Sequence, residues 1–148
     1  MPETGEVDIL YENSGLVVIN KPAGIIVHPS HAKYTGTLSN FVSGYLMAKG
    51  EVPVCHAVNR LDRDTSGVVL FAKNTYMKSV LSDSMANAEK TYLALCFGVL
   101  PESGTIDAPI RRESELEMKR IVTPDGQRAV THYRRIGNHG GYSLAELR

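Results

Sequence analysis

Short apolar runs broken by turn residues fill the first part of the chain. Val7-Asp8-Ile9-Leu10-Tyr11-Glu12 and Leu16-Val17-Val18-Ile19-Asn20 flank Asn13-Ser14-Gly15, which predicts two short strands around a turn. Lys21-Pro22-Ala23-Gly24 reads as a second turn, because Pro fixes φ and Gly is free to take φ > 0. Ile25-Ile26-Val27 then continues as a brief strand into His28-Pro29. Beyond this the period changes. Thr37 is a candidate N-cap, Leu38, Phe41, Val42, Tyr45 and Leu46 share one face, and Gly50 is a stop, so a helix is predicted through Lys49. Val68 to Phe71 is apolar at every position, as a strand buried on both faces is. A second helix is predicted from about Thr75 to Asn87, with Met77, Val80, Leu81 and Met85 on one side.

The remaining pattern is strand-like. Lys90 to Val99 is rich in β-formers, Met118 to Val122 is short, and Ala129 to Ile136 partly alternates. Pro124-Asp125-Gly126 is read as the hairpin turn between the last two, and Tyr142 to Leu147 begins a further alternating segment. No repeat or low-complexity tract interrupts the chain. Strands and helices mixed with hairpins predict an α+β fold, a mixed and largely antiparallel sheet with a few flanking helices. Residues 1–148 are expected to form one domain, incomplete at the C-terminus because the alternation is cut in mid-pattern.

Composition narrows the class. The 148 residues are 43% hydrophobic and 22% charged, ordinary for a globular chain, and sixteen basic side chains balance sixteen acidic ones. A neutral total does not advertise a nucleic-acid binder, yet Arg111-Arg112, Lys119-Arg120 and Arg134-Arg135 are local basic pairs that can steer RNA or simply line solvated strand edges. Cys55 and Cys96 have neither metal-site spacing nor a dense disulfide pattern, so free thiols of a cytoplasmic protein are expected. The polar start Met1-Pro2-Glu3-Thr4-Gly5-Glu6 is unlike a signal peptide, and the apolar runs are too short to span a membrane. His28 and His31 lack a completing carboxylate or cysteine, so no metal is expected; Lys21 to Gly24 lacks the spacing of a phosphate-binding loop.

The chemistry concentrates in His56-Ala57-Val58-Asn59-Arg60-Leu61-Asp62-Arg63-Asp64-Thr65-Ser66-Gly67, which runs straight into the apolar Val68 to Phe71. The layout sets a carboxylate and a guanidinium at the mouth of a buried strand. Taken alone, Asp62 is a turn-capping residue in a glycine-containing loop, Arg60 an ion-pair partner of Asp62 or Asp64, and Tyr92 a packed strand tyrosine. Thr65, Ser66 and Gly67 shape the loop through local hydrogen bonds and close approach.

The ordered motifs change that reading. Ile9 to Glu12, Val18-Ile19-Asn20-Lys21-Pro22-Ala23-Gly24, Val27-His28-Pro29, Arg60 to Gly67 and Lys90-Thr91-Tyr92-Leu93-Ala94 closely resemble the RluA-type RNA pseudouridine synthases. Pro109-Ile110, Lys119-Arg120, Asp125-Gly126 and Ala129-Val130-Thr131-His132-Tyr133 fit the later landmarks of that family in order. Two departures stand out. Asn59 occupies a position where relatives often carry histidine, and the family's Gly-Arg-Thr-His-Gln-Ile-Arg motif, whose arginine pairs with the catalytic aspartate, is not among these residues.

The resemblance implies an isomerase that breaks the N1–C1′ bond of a uridine in ribosomal or transfer RNA, turns the base, and rejoins it through C5. It implies Asp62 as the nucleophile, or as the base removing a sugar proton; Arg60 as the side chain that fills the space of the flipped base; and Tyr92 as the ring stacked on the uracil. The isomerisation transfers no electrons or groups elsewhere, so no cofactor is implied, and RNA is the expected partner with no obligate protein partner and no membrane. Relatives of this type can carry an S4 domain, and none is visible before Val7. Two other readings remain open at this point: an RNA-binding module without turnover, and a base-acting hydrolase pairing Asp62 with Asp64 or Glu89.

Overall fold

The computed structural model of the chain describes residues 1–29, 34–85, 87–114 and 119–148. They fall into two compact units, Met1–Ala88 and Glu89–Arg148.

The first unit contains β1 (Ile9–Glu12), β2 (Leu16–Lys21), α1 (Leu38–Ala48), β3 (His56–Ala57), β4 (Gly67–Ala72) and α2 (Thr75–Met85). Its sheet has the order β1-β2-β4-β3, with antiparallel neighbours throughout. Inward positions of β2 and β4 supply Val17, Ile19, Val69 and Phe71, which pack with Val27 and with Leu38, Val42 and Leu46 of α1. Those helix residues recur every four positions, so one apolar stripe meets the sheet. Each such aliphatic side chain gains about 1.5–3 kcal/mol from leaving water.

The start of α1 follows from its sequence. The Thr37 hydroxyl accepts the Asn40 amide at 3.3 Å and the Asn40 side chain accepts the Thr37 amide at 3.1 Å, a reciprocal cap. Gly44 lets the N-terminal segment lie against the helix, since a Cβ there would stand 2.0 Å from the Glu3 carbonyl oxygen. The brief strand expected at Ile25-Ile26-Val27 is not formed. The Ile26 and Val27 carbonyls instead accept the Leu38 and Ser39 amides at 2.9 and 3.0 Å, so this segment satisfies the open first turn of α1 rather than a sheet partner. The helix expected to Asn87 ends at Met85, residue 86 lying outside the described residues, and none of its side chains is fully buried.

A charged cluster closes the far end of this unit. Glu12 accepts from Lys49 at 2.8 Å, Lys73 at 2.6 Å and the Tyr45 hydroxyl at 2.7 Å, while Lys73 also reaches Glu51 at 2.8 Å. Burial pushes the Glu12 carboxyl upward, but the hydrogen bonds from Lys49, Lys73 and Tyr45 outweigh it and bring it down to about 2.

The second unit holds β5 (Tyr92–Phe97), β6 (Ser103–Asp107), β7 (Ile110–Arg112), β8 (Arg120–Val122), β9 (Val130–His139) and β10 (Tyr142–Leu147). One sheet has the order β5-β10-β9-β6, and β7 pairs with β8 in a separate ribbon; every pairing is antiparallel. The α+β expectation with largely antiparallel pairing therefore holds. The Pro124 hairpin does not: Gly126 closes a turn on the Thr123 carbonyl at 3.0 Å, but β8 pairs backward with β7, and β9 pairs with β10 and β6. Met118, expected to open β8, lies outside the described residues. Strands β6 and β7 carry no local signal in Ser-Gly-Thr-Ile-Asp or Ile-Arg-Arg, and exist because β9 and β8 pair with them.

The faces of the larger sheet are unequal. Ser143 and Ala145 of β10 are buried on one side, whereas Leu93, Leu95 and Phe97 of β5 point to the other at 67%, 72% and 86% exposure. There Phe97 meets Tyr142 edge to face, with ring centroids 5.6 Å apart.

Candidate active site

The segment from His56 to Gly67 comprises β3, the connection Val58 to Ser66, and the first residue of β4. Its entry is fixed by backbone mimicry. Val58 donates to the Leu70 carbonyl at 2.8 Å, and the Asn59 side chain then accepts from the Leu70 amide at 2.8 Å and donates to the Val68 carbonyl at 3.0 Å. Asn59 thus prolongs the β3–β4 pairing by one step with a side chain in place of a main chain. Leu61 turns inward and packs on the core, leaving Arg60 and Asp62 on either side of it exposed.

Asp62 opens a turn closed by the Thr65 amide on its carbonyl at 3.2 Å. Its neighbours Arg63 and Asp64 pair with each other through two bonds of 3.0 Å. That pairing holds the Asp64 carboxyl below its usual range. Among the described residues no ion pair joins Arg60 to Asp62 or Asp64. Gly67 leaves the loop with φ of +131°, a conformation that L side chains rarely adopt, and enters β4 opposite Lys21.

Lys21 is the residue that sequence reasoning missed. It follows Val17 and Ile19 on the inward row of β2 and is 0% exposed. Its ammonium donates to the carbonyls of Ile25 at 2.7 Å, Pro22 at 2.9 Å and Arg63 at 3.0 Å. The Gly24 amide reaches the same Arg63 carbonyl at 2.8 Å. Burial lowers the affinity of Lys21 for its proton, and the charges of Asp64 and Asp62 act in the opposite sense. The alternation Val17, Ile19, Lys21 was the available signal: a lysine on the core phase of a strand.

Other expected residues are placed as follows. Tyr92 begins β5 in the second unit, opposite Leu147, with a ring 39% exposed. His28 is exposed and its Nδ1 lies 3.2 Å from the Ser39 hydroxyl, which donates to the Val27 carbonyl at 2.8 Å. Partial desolvation of its ring, then the charges of Arg60, Lys78 and His56, favour its neutral form. His31 lies outside the described residues. Of the basic pairs, Arg111 meets Asp125 at 3.1 Å, Lys119 meets Glu113 at 2.9 Å, Arg134 meets Glu146 at 3.4 Å, and Arg135 donates to the Leu100 carbonyl at 2.5 Å. Arg112 and Arg120 differ, standing directly opposite each other across β7 and β8, both exposed.

Residues 15–148 match the family model described as RNA pseudouridylate synthase. The chain is 40% identical over 152 residues to the "Uncharacterized RNA pseudouridine synthase YhcT" of Bacillus subtilis, covering 99% of this chain and 50% of that protein. It is 38% identical over 149 residues to the "Ribosomal large subunit pseudouridine synthase D" of Xanthomonas campestris, covering 99% of this chain and 45% of that one. The solved structure of "Human RNA Pseudouridylate Synthase Domain Containing 4" matches 95% of this chain and 57% of its own at 27% identity, with a TM-score of 0.71. "Human RNA Pseudouridylate Synthase Domain Containing 1", 19% identical with a TM-score of 0.76 over 98% of this chain and 61% of its own, supports the fold. The chain spans about half the length of the curated relatives it matches.

Proposed function

The chain belongs to the RNA pseudouridylate synthase family, and on that premise we propose that it isomerises uridine to pseudouridine in RNA through Asp62. The observation carrying this reading is a carboxylate in the family signature, exposed on a turn whose backbone is pinned on both sides, while the neighbouring Asp64 pairs with Arg63. In the reaction the N1–C1′ bond breaks, the uracil turns, C5 bonds to C1′, and the C5 proton leaves; N1 ends protonated and nothing is oxidised. Asp62 attacks C1′ or removes a sugar proton, and either role requires the ionised carboxylate.

Arg60 is the group proposed to enter the space of the flipped nucleotide, supported by its exposure and by its lack of an ion pair to either neighbouring aspartate among the described residues. Tyr92 is proposed to stack on the uracil, supported by Lys90-Thr91-Tyr92 and its half-exposed ring; stacking of this kind is worth roughly 1–3 kcal/mol per base. Arg112 opposite Arg120 is a like-charge pair that a polyanion relieves, which suits RNA. Ribosomal RNA is the substrate class favoured by the names of several relatives, transfer RNA the second, and the cytoplasm the expected compartment. We take residues 1–148 to act as the N-terminal portion of one catalytic domain.

One observation favours a second reading, RNA binding without turnover: among the described residues no cation pairs with the Asp62 carboxylate. Tritium release from RNA labelled at uridine C5 decides between them, because that hydrogen leaves only when C5 becomes the glycosidic carbon. Release by the parent and not by Asp62→Asn, with RNA affinity changed by less than about threefold, is the expected result. Equal release by the variant overturns the role of Asp62; binding with no release from either selects the second reading. Free uracil in place of an isomerised product would identify a hydrolase.

A further inference from the structure

Burying an ammonium costs several kcal/mol unless its donors are met. A methionine at position 21 would continue the apolar row of Val17 and Ile19 without that cost. The three donors of Lys21 are all met, by carbonyls and by no carboxylate among the described residues. Two of those carbonyls, of Pro22 and Ile25, belong to the turn that follows β2. The third, of Arg63, is 42 residues farther along, one residue past Asp62. Arg63 therefore accepts two donors from the first turn, the Lys21 ammonium and the Gly24 amide. With Thr65 closing on the Asp62 carbonyl, the 62–65 turn is held both within itself and to the 22–25 turn.

We propose that Lys21 is a positioning residue for Asp62: its buried ammonium ties the 22–25 turn to the 62–65 turn and so fixes where the Asp62 carboxylate stands. This rests on the reading of Asp62 as the reacting carboxylate. The ammonium touches no substrate in this scheme. It acts through the Arg63 carbonyl, and its charge adds a fixed field that both aspartates of the loop experience. A reacting group displaced by as little as an ångström can lose about a hundredfold in rate, so a staple one residue away is well placed to matter.

The test uses the full 148-residue chain and two variants, Lys21→Met and Lys21→Gln. Amide hydrogen exchange is the first readout. In Lys21→Met the Gly24 and Thr65 amides should exchange at least about tenfold faster, while the amides of the β2–β4 ladder stay within about threefold of the parent. Unchanged exchange at Gly24 and Thr65 overturns the proposal, as does equal acceleration throughout the ladder, which would make Lys21 a general core residue. If Lys21→Met does not fold, Lys21→Gln carries the same expectation; failure of both to fold assigns Lys21 to the fold itself and overturns the positioning role. The second readout is single-turnover tritium release against RNA affinity. The rate should fall about a hundredfold in the folded variant with the RNA dissociation constant within about threefold; an equal loss in both overturns the proposal. A parent without tritium release removes the catalytic reading of Asp62, while the exchange measurement still decides whether Lys21 holds the loop.

Discussion

Asp62 stands on a backbone held by neighbours while its own side chain takes no partner among the described residues. A carboxylate left free in this way is available to a ligand. Replacing the Tyr92 ring by Phe should be much milder than losing Asp62, because stacking survives removal of the hydroxyl. Tritium release in Tyr92→Phe is expected to stay within about tenfold of the parent, and a loss as complete as that of Asp62→Asn would assign the hydroxyl a chemical role. Legibility at this scale divides by the range of the contacts. Arg60, Asp62 and Tyr92 are readable because the motif itself carries them. Asn59 is not, because its meaning lies with Val68 and Leu70, which pairing alone brings near; Lys21 is readable only as a lysine on the core phase of a strand, its partner Arg63 lying 42 residues away. Asn59 looked like a departure from a histidine pattern; its amide turns out to extend a strand pairing.

At the scale of elements, the cluster on Glu12 ties the end of β1 to α1 and to Lys73 just after β4. Its folded carboxyl titrates at about 2, below the ordinary 4.5. The stability it contributes is therefore complete above pH 4.5 and is lost as the pH falls from there toward about 2. Glu12→Gln should cost about 2 kcal/mol at neutral pH and flatten the acid side of the curve, read from urea midpoints of parent and variant across that window. A variant with the parent's acid sensitivity would place the titrating group elsewhere. On the β7–β8 ribbon, Arg112→Ala with Arg120→Ala should weaken RNA binding and reduce its logarithmic salt slope by about 1–2. Equal slopes in parent and double variant would remove these arginines from the RNA surface. The apolar periods at α1 and β2 were legible in the sequence because local pattern and burial agree there; β4 was legible as a strand but not as one buried on both faces, since Val69 and Phe71 face the core while Val68 is 50% exposed. Strands β6 and β7 were not, and the Ile25 to Val27 segment was misread, because in each case a distant partner decides what the backbone does.

At the scale of the whole molecule, two compact units share one chain, and no helix among the described residues is long and apolar enough to cross a membrane. The second unit leaves Leu93, Leu95 and Phe97 in a row on an open sheet face, and such rows drive association. The isolated chain is expected to self-associate with rising concentration, and Phe97→Lys to shift it toward monomer in sedimentation velocity runs; a parent that stays monomeric at high concentration contradicts this. The order β5-β10-β9-β6 has a further consequence in time. The first strand of that sheet to leave a ribosome, β5, takes as its neighbour the last, β10, so it waits through all the intervening synthesis with its edge unmatched. The β1-β2-β4-β3 sheet, by contrast, has these four strands in hand within the first 88 residues. A nascent chain paused before Tyr142 thus carries those four paired strands but lacks the strand that joins β5 to β9, the interval in which a chaperone has most to bind.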